Sequence, residues 1–568
     1  MIRALDELGA EATLDATVCI VGAGAAGITL ACEFDGCRFS VLLLEAGGLH
    51  QDVGLSDEFY RGSASLPHPN PSEYRRVVFG GTTTIWGGRC APFDPIDFEA
   101  RDYIDRSGWP IPYEEVARFY PRALEYCDAG RFDFTVGGAL PEARRRVPTL
   151  PGLTDNSIIE TRRLERYSLP SDFGRRRRAT IAGSSNVTAL LHARCVGLHR
   201  APGESRIDSL TVIDPAGRRR RVRAEIFILA MGGIEVPRLL LASDAPGPGV
   251  GNRYDLLGRF YACHFENVLG RLVAPRGSIP FDFEKAVDGV YCRRKLQFSS
   301  KAQREHRLLS SAFRLHFPPY SDAAHGSAAL SAIYLAKSVL IPEHRAILQQ
   351  GSEPAARSTS LEHIRNVALG LPEFVRFAWQ WLFLRALADR KLPYTLARNR
   401  DGSYPLEFNC EQTPSASNRI TLLDEMDRQG LRRVHVHWSV APEDADATHR
   451  AFLLLRSVLQ RDSLCRLEFE EPALREAISR SVPLGHHMGA TRMAATPREG
   501  VVDENCALFE SPNLFVASSA VFCTVSHANP TLTIVAFALR LAEHLKTLLG
   551  ARPAIGPTSA QESGSAPG

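Results

Sequence analysis

The stretch VCIVGAGAAGITLACEF, residues 18–34, joins three patterns that together decide the fold. It begins with aliphatic and β-branched residues, which are typical of a strand buried on both faces of a sheet. It continues with Gly22, Gly24 and Gly27, and it ends with apolar residues at helical spacing. In such a unit the first glycine makes the tight turn, the second lets the backbone approach a pyrophosphate, and the third allows close packing of helix on strand. The sequence therefore predicts a dinucleotide site at the N-terminus of this helix.

An acidic residue at the end of the next strand supports this site. Glu45 closes the apolar run FSVLLLEAG and follows Gly22 by 23 residues. This separation is near the spacing of about 20 expected for a carboxylate that binds a ribose hydroxyl. Because NAD and FAD share the fingerprint, these features do not distinguish the two dinucleotides.

Other buried-strand patterns lie far along the chain. Residues 225–243 and 513–522 each carry a similar apolar run, and an amphipathic helix follows the second of them. Strands so widely spaced indicate one sheet assembled from distant segments, with a second domain inserted between them. The predicted fold class is α/β: a Rossmann-like dinucleotide-binding domain with an inserted α+β substrate domain built on an antiparallel sheet. The alternating pattern RVHVHWS, residues 433–439, is a candidate strand of that sheet.

The predicted domain boundaries follow these segments. The dinucleotide-binding domain takes three separate parts of the chain, and the substrate domain lies between the second and third. The boundaries are 1–89 (dinucleotide-binding), 90–185 (mixed cofactor-covering and substrate segments), 186–261 (dinucleotide-binding), 262–480 (substrate-binding), 481–550 (dinucleotide-binding and catalytic) and 551–568 (a Pro-, Ser-, Ala- and Gly-rich tail, expected to be disordered).

The composition excludes several classes of function. Lys and Arg total 67 and Asp and Glu total 64, so the formal net charge of +3 gives no electrostatic basis for binding nucleic acid. The 12 cysteines show no metal-type spacing, so we predict reduced cysteines and no metal site. The first 22 residues carry acidic side chains and lack the apolar core of a signal peptide, which predicts a cytoplasmic protein.

One stretch raises the question of a membrane. Residues 363–391 are rich in apolar side chains, but Pro372, Glu373 and Arg376 leave too short an apolar run to span a bilayer. The remaining apolar residues fit a helix with one broad apolar face. We expect this helix to pack on the body of the protein; contact with a partner or a membrane surface is the alternative.

A second glycine-rich stretch, VVFGGTTTIWGG, covers residues 77–88. It places four glycines around three threonines and Trp86. Such a loop can press its backbone and small hydroxyls against a flat ring, or it can be a tight structural turn. The local chemistry supports both interpretations equally.

Several stretches, taken in order along the chain, resemble the glucose–methanol–choline (GMC) family of flavin oxidoreductases. They are VCIVGAGAAGITLA with LLLEAGG, FGGTTTIWGG, and HHMGATRM with HANPTLTIVAFALRLAEHL. The resemblance covers most of the chain, and it implies the GMC fold with FAD as cofactor. Within the family, the short HHMG and ANPTLT segments are most similar to the pyranose-oxidising branch and its bacterial glycoside-oxidising relatives.

The resemblance also implies which residues bind FAD. These are Gly22, Gly24, Ala25, Ala26 and Gly27 at the pyrophosphate, Glu45 at the ribose, Val196 at the adenine, Gly80, Gly81, Thr82, Thr83, Trp86, Gly87 and Gly88 along the isoalloxazine, and Ala520, Asn529, Pro530 and Thr531 from the C-terminal segment. Some pyranose oxidases link the flavin covalently through a histidine directly before the tryptophan of this loop. Here that position is Ile85, which cannot form the bond, so we predict non-covalent, dissociable FAD.

Oxidation of an alcohol by hydride transfer needs a base for the O–H proton and a polar group that holds the same oxygen. A neutral histidine suits the first role because its pKa lies near working pH. The family places its base three residues before the glycine of an HxxG motif; here that glycine is Gly489, so the resemblance implies His486 as the base. The second member of the family's pair precedes the closing helix, where this chain has Asn529.

Three other histidines lie near these motifs. A lone histidine in a loop is more often structural than catalytic, and we interpret His487 and His527 in this way, with contact to substrate as the alternative for both. His264, in the segment RFYACHFEN, is expected to be structural.

Together these features predict FAD-dependent oxidation of an alcohol by hydride transfer to flavin N5. The predicted substrate is a secondary ring hydroxyl, at C2 or C3, of a pyranose sugar or glycoside, and the product is the keto sugar. Two alternatives stay open: oxidation of a non-sugar alcohol from secondary metabolism, and a non-redox lyase that keeps FAD but cleaves hydroxynitriles. The expected partners are the small-molecule alcohol and O2 or another electron acceptor; a homo-oligomer is compatible with the sequence.

Overall fold

The computed structural model describes residues 1–9, 14–153, 157–201, 203–243, 247–275, 277–336, 359–394 and 402–550. The tail 551–568, for which the sequence predicts disorder, lies outside these residues. The described residues form two nine-stranded β-sheets, a small third sheet and the helices that cover them.

The first sheet is built around the strand that the opening stretch predicts. Strand Leu14–Val21 lies between Val41–Leu44 and Arg219–Leu229 and pairs with both in parallel. Its last four residues are almost fully buried, as expected for a strand covered on both faces. The other strands of this sheet are Ile2–Ala4, Val187–Leu191, Arg194–Arg200, Ile207–Ile213, Ala507–Leu508 and Ser511–Val516.

The strands of this sheet come from three distant parts of the chain, residues 2–44, 187–229 and 507–516. Parallel neighbours of this kind need long crossover connections, and helices covering the sheet supply part of them. The predicted α/β fold class, with one sheet assembled from separate segments, is confirmed.

The glycine turn brings a helix very close to the central strand. Gly22 has a φ of +105°, and helix Ala25–Glu33 begins directly after Gly24. A Cβ atom at Gly27 would lie 1.9 Å from the carbonyl oxygen of Gly22, so only glycine fits there. The helix can therefore start at the carboxyl edge of the sheet with its N-terminus facing outward along the strand direction.

The second sheet is antiparallel throughout and belongs to the inserted region. At its centre, strand Ser403–Cys410 lies between Phe265–Val273 and Ser311–Leu315. The other strands of this sheet are Arg89–Cys90, Ile159–Tyr167, Glu284–Lys285, Tyr291–Phe298, Arg466–Glu468 and Val482–Pro483. Many of its inward positions carry paired charged groups instead of apolar side chains, which matters for the site below.

The alternating segment 433–439 belongs to the small third sheet. Strand Arg432–His437 pairs antiparallel with Arg419–Met426, as the alternation predicts, but it pairs in parallel with the short strand Ser63–Ala64. A pattern of period 2 identifies a half-buried strand, but it does not identify which sheet the strand joins.

Helices cover these sheets on both sides. Helix Ala25–Glu33 packs against the closing helix Thr531–Leu548. The other α-helices of the described residues are Val53–Tyr60, Tyr113–Ala117, Tyr120–Cys127, Val136–Ala139, Glu142–Arg145, Phe173–Gly183, Glu235–Ala242, Ser300–His306, Ala328–Leu335, Ser360–Leu369, Leu371–Trp379, Pro442–Asp462 and Glu471–Ser479.

The apolar stretch 363–391 forms two short helices and a π-helical extension, Gln380–Ala386. Phe377 and Trp381 line the cavity described below, whereas Leu361 and Leu371 are 74% and 56% exposed. The expected packing on the body of the protein therefore holds for only one side of these helices. Among the described residues, no helix has the length and apolar character needed to cross a membrane.

The approach of Gly27 to Gly22 generates a test of the fold. Gly27→Ala should lower the free energy of unfolding by about 1–3 kcal/mol, because its methyl group overlaps a backbone oxygen that cannot move without shifting the central strand. The measurement is chemical denaturation. Gly183→Ala, at the end of a helix where a Cβ meets nothing within 4 Å, is the matched control. Equal denaturation midpoints for the two variants would contradict the close packing.

Candidate active site

A cavity of about 1000 Å³ lies between the parallel sheet and the antiparallel sheet. It brings together most of the residues that the sequence predicts for cofactor and catalysis. The predicted residues that line it are Gly22, Gly24, Ala25, Ala26, Glu45, Gly81, Thr82, Thr83, Trp86, Gly87, Gly88, His486, His487, Asn529, Pro530 and Thr531.

Four other residues predicted for the cofactor site do not line the cavity. Gly27 holds the helix against the glycine turn, and the Gly80 N–H donates to the Ala23 carbonyl at 2.8 Å. The Ala520 carbonyl, fully buried, accepts the Thr491 N–H at 2.8 Å. Val196 does not line the cavity, although the three residues before it, 193–195, do.

One end of the cavity is suited to a pyrophosphate and a ribose. Helix Ala25–Glu33 has no side-chain cap at its N-terminus, and a Cβ at Gly24 would meet nothing within 4 Å, so the first N–H groups of the helix are accessible to an anion. The Glu45 carboxylate accepts the N–H groups of Ala23 and Gly47 at 2.9 and 2.8 Å. Burial raises the pKa of Glu45 to about 7.

The second glycine-rich loop lies directly against the first. Gly80 and Gly81 have positive φ angles, and a Cβ at Gly81 would lie 3.0 Å from the Cα atom of Gly24. The Trp86 indole N–H donates to the Ser171 carbonyl at 2.6 Å, which fixes the ring at the cavity wall beside Ile85. The loop is thus a tight turn and a cavity wall at once, and its contact with a flat ring stays a prediction.

His486 and Asn529 meet at the wall of the cavity. The Asn529 Nδ2 atom lies 3.0 Å from His486 Nε2, although the residues are 43 positions apart. Asn529 precedes Pro530, the residue from which the closing helix begins, so the side chain is presented at the helix N-terminus. Asn529 Oδ1 is buried and has no hydrogen-bond partner in the part of the chain that the structure describes.

His487 occupies a different environment from its neighbour. Its Nδ1 atom lies 2.6 Å from the Tyr261 hydroxyl, which also lies 2.9 Å from His68 Nε2. His68 Nδ1 lies 2.7 Å from the Pro69 carbonyl and must donate to it, so neutral His68 accepts the Tyr261 proton at Nε2. The Tyr261 oxygen then accepts the His487 Nδ1–H. Burial and the nearby Arg75 and His68 hold the pKa of His487 well below its usual value.

His527 does not reach the cavity. Its Nε2 atom accepts from Lys295 Nζ at 2.6 Å, and its Nδ1 atom lies 2.9 Å from Ser310 Oγ. Burial and the neighbouring Lys295 hold the pKa of His527 well below its usual value. Both ring nitrogens of His527 have protein partners, which favours a structural role for this residue over contact with substrate.

The antiparallel sheet contributes a charged wall that sequence reasoning missed. Arg89, Glu266 and Glu407 line the cavity, and Arg89 Nη2 lies 3.4 Å from Glu407 Oε1. Although burial alone would raise the pKa of Glu407, the cations Arg89, Arg314 and Arg293 lower it to about 2. A charged residue inside an otherwise uncharged strand, such as Glu407 in SYPLEFNC, was the available signal, since such residues are rarely buried without a partner or a ligand.

Two clusters in this region contain residue types that bind metals. The ligand atoms of His68, Cys263 and His487 lie within 4.8 Å of one another, and so do those of His264, Glu266 and His486. Both clusters are linked by hydrogen bonds between their members or through Tyr261. The absence of a metal site therefore stays a prediction.

Comparison with known proteins supports the assignment of a family. Residues 414–538 match the family model described as GMC oxidoreductase. The large subunit of fructose dehydrogenase from Gluconobacter japonicus is 23% identical over 94% of this chain and 98% of its own length. The 2-methyl-1,2-propanediol dehydrogenase of Mycolicibacterium austroafricanum is 23% identical over 93% of this chain and 94% of its own length.

Two further matches are shorter in sequence or more distant. A C-glycoside 3-oxidase from Arthrobacter globiformis is 42% identical, over 22% of this chain and 24% of its own length. The crystal structure of pyridoxine 4-oxidase from Mesorbium loti superposes with a TM-score of 0.52 at 16% identity, covering 94% of this chain and 99% of that one. The last comparison shows that the covered 94% of this chain shares its fold with that enzyme.

The residues present fit FAD: an uncapped helix N-terminus, a buried carboxylate, a glycine-rich wall and a polar pair all line one cavity. Fold and site define an FAD-dependent oxidoreductase that acts on the CH–OH group of a small-molecule alcohol. Residues 414–538 match the GMC oxidoreductase family model, and the more distant similarity to fructose dehydrogenase extends over 94% of the chain.

The buried carboxyl of Glu45 generates a prediction on pH and stability. Because its pKa is raised from 4.5 to about 7, the native state holds this proton more tightly than the unfolded chain does. The stabilisation that the protonated Glu45 gives to the folded protein is fully present below about pH 4.5 and is lost as the pH rises through about 7. In flavin-free protein, the free energy of unfolding of Glu45→Gln should rise by up to about 3 kcal/mol relative to that of the native chain over this pH interval.

The measurement is chemical denaturation of both proteins at several pH values. Glu504→Gln, which changes an exposed carboxylate, is the control and should track the native chain at every pH. A constant difference between Glu45→Gln and the native chain would show that Glu45 titrates normally in the folded protein.

Proposed function

We propose that this enzyme oxidises a secondary ring hydroxyl, at C2 or C3, of a pyranose sugar or glycoside to the keto sugar. His486 serves as the base, and Asn529 holds the reacting oxygen. The observation that carries the proposal is the 3.0 Å approach of Asn529 Nδ2 to His486 Nε2 at the cavity wall, beside the predicted flavin-binding loop. One acceptor and one donor at this separation can bind the two sides of a single hydroxyl group.

The chemistry of the pair follows from its donors and acceptors. His486 Nε2 takes the proton of the substrate O–H, and the Asn529 amide donates to the oxygen as negative charge develops on it. FAD, when bound, would accept the hydride from the carbon that carries this hydroxyl group. By holding one oxygen from two sides, the pair also fixes the direction of the C–H bond.

The character of the cavity supports a polyhydroxylated substrate. Besides the glycine-rich loops, the cavity wall combines charged groups with aromatic rings, namely Arg89, Glu266, Glu407, His316, Phe317, Phe377, Trp381 and Tyr394. Hydrogen-bonding groups at several angles suit a molecule with several hydroxyls, and flat rings cover its C–H faces. The relatives named for fructose and C-glycoside oxidation support the same class, while the propanediol dehydrogenase supports the non-sugar alternative.

The proposed function is tested by following flavin absorbance under anaerobic conditions with a panel of pyranoses, glycosides and non-sugar alcohols. Sugars or glycosides should bleach the oxidised flavin, and His486→Ala should slow the bleaching at least ~100-fold because the general base is lost. His306→Ala, which removes an exposed histidine at the end of helix Ser300–His306, is the matched control and should reduce normally.

Three other outcomes count against the proposal. Bleaching by non-sugar alcohols alone would overturn the sugar assignment and leave the oxidation chemistry intact. Cleavage of hydroxynitriles with unchanged flavin absorbance would identify a lyase. A near-normal rate in His486→Ala would move the base to His487.

The position before Trp86 generates a separate prediction about the cofactor. Ile85 lines the cavity and has no nucleophilic atom, so we expect FAD to be held only by non-covalent contacts. Precipitation with acid should release the yellow colour into the supernatant. Flavin that stays with the denatured pellet would show a covalent bond at another residue.

A further inference from the structure

The catalytic candidate His486 stands at the end of a short chain of hydrogen bonds that begins at a backbone carbonyl. The chain runs from the Val525 carbonyl to His264 and from His264 to His486. His264 is fully buried, and the sequence suggested only a structural role for it.

The protonation of His264 follows from its partners. Its Nε2 atom lies 2.9 Å from the Val525 carbonyl oxygen, which can only accept a hydrogen bond, so Nε2 carries a proton. Burial, together with the neighbouring His486, holds the pKa of His264 well below its usual value. A neutral imidazole with its proton on Nε2 has a lone pair on Nδ1.

The protonation of His486 follows in turn. The Nδ1 atoms of His264 and His486 lie 3.1 Å apart. Because His264 Nδ1 can only accept, His486 Nδ1 must carry the proton that joins them. In the neutral base the lone pair is then on Nε2, the nitrogen beside Asn529 at the cavity wall.

A carboxylate near the same nitrogen takes a different role. Glu266 Oε1 lies 3.5 Å from His486 Nδ1, too far for a normal N–H···O hydrogen bond. It instead accepts from Asn409 Nδ2 at 2.9 Å, and Asn409 Oδ1 accepts from Arg314 Nη1 at 2.8 Å. Glu266 thus lies close enough to stabilise a positive imidazolium, while the hydrogen bond that selects the tautomer goes to His264.

We propose that His264 is a positioning residue that locks His486 in the tautomer with Nε2 unprotonated and aimed at the substrate hydroxyl. The inference rests on the proposed role of His486 as base. During the reaction the substrate O–H bond breaks and the His486 Nε2–H bond forms, while the proton on Nδ1 stays shared with His264. No proton moves onto His264, and no side chain has to rotate.

Two substitutions at the same position separate a locking role from mere space filling. In His264→Gln the amide can donate to the Val525 carbonyl and accept from His486 Nδ1. His264→Leu fills a similar volume and does neither. With any alcohol that reduces the flavin, His264→Gln should retain the anaerobic reduction rate to within about 3-fold, whereas His264→Leu should lose roughly 10- to 100-fold. Flavin content and thermal unfolding of the holoenzyme establish that both variants are folded.

The second readout needs no substrate. The holoenzyme labelled with ¹⁵N-histidine reports which ring nitrogen of His486 carries the proton, and His486→Ala identifies its signals. The native protein and His264→Gln should show a protonated Nδ1 and an unprotonated Nε2, and His264→Leu should show a mixture. Glu266→Gln should keep the native tautomer.

The outcomes that overturn the proposal are distinct. If folded His264→Leu reduces the flavin at the native rate and keeps the native tautomer of His486, then His264 does not lock that tautomer. Mixing of tautomers in Glu266→Gln but not in His264→Leu would assign the lock to the carboxylate. A His264→Gln variant that is as slow as His264→Leu but keeps the native tautomer would show that His264 does not act on the rate through the tautomer. An error in the substrate class leaves the NMR result untouched, whereas normal reduction by His486→Ala refutes the base and its positioning residue together.

Discussion

The close approach of Gly27 to the Gly22 carbonyl is the constraint on which the rest of the site depends. It lets helix Ala25–Glu33 start at the edge of the parallel sheet with its N–H groups facing the cavity. The second glycine-rich loop can then lie against the first, since Gly81 meets Gly24 with no side chain between them. A side chain at Gly27 or Gly81 would push apart two layers whose contact forms the cofactor end of the cavity.

The opposite wall is held by buried charge. Arg314 donates to Glu165, Glu407 and Asn409, and these contacts join three strands of the antiparallel sheet. Charges this far from water persist only where their partners are well placed, and removing one partner of such a pair typically costs about 3–5 kcal/mol. The same network orients Glu266 beside His486, so the interactions that hold the sheet together also define the electrostatics of the site.

The adjacent histidines show how one backbone segment can present two different imidazoles. His486 and His487 point in different directions, as neighbours in an irregular segment do, and each lies in its own hydrogen-bond chain. One chain is anchored at the Val525 carbonyl and the other at the Pro69 carbonyl. In both, a backbone oxygen that can only accept determines the protonation of every ring that follows. The difference between the two histidines lies at Nε2: that of His486 faces Asn529, and that of His487 is buried without a partner among the described residues.

The sequence by itself determined the α/β class and the dinucleotide end of the site, whereas FAD and the pair His486 and Asn529 were expected from its resemblance to the GMC family. The class and the dinucleotide end depend on local rules, because a glycine at a tight turn and an acid at a strand end act over a few residues. Only the tertiary structure decided that the alternating segment 433–439 joins a small separate sheet, and that His527 is turned away from the cavity toward Lys295. It also decided the place of Glu266, Glu407 and His264 around the base. Glu266 and Glu407 lie on strands of the inserted region, and His264 directly precedes one of them. Their role depends on which strands meet across the cavity, a matter of long-range packing that no local spacing encodes.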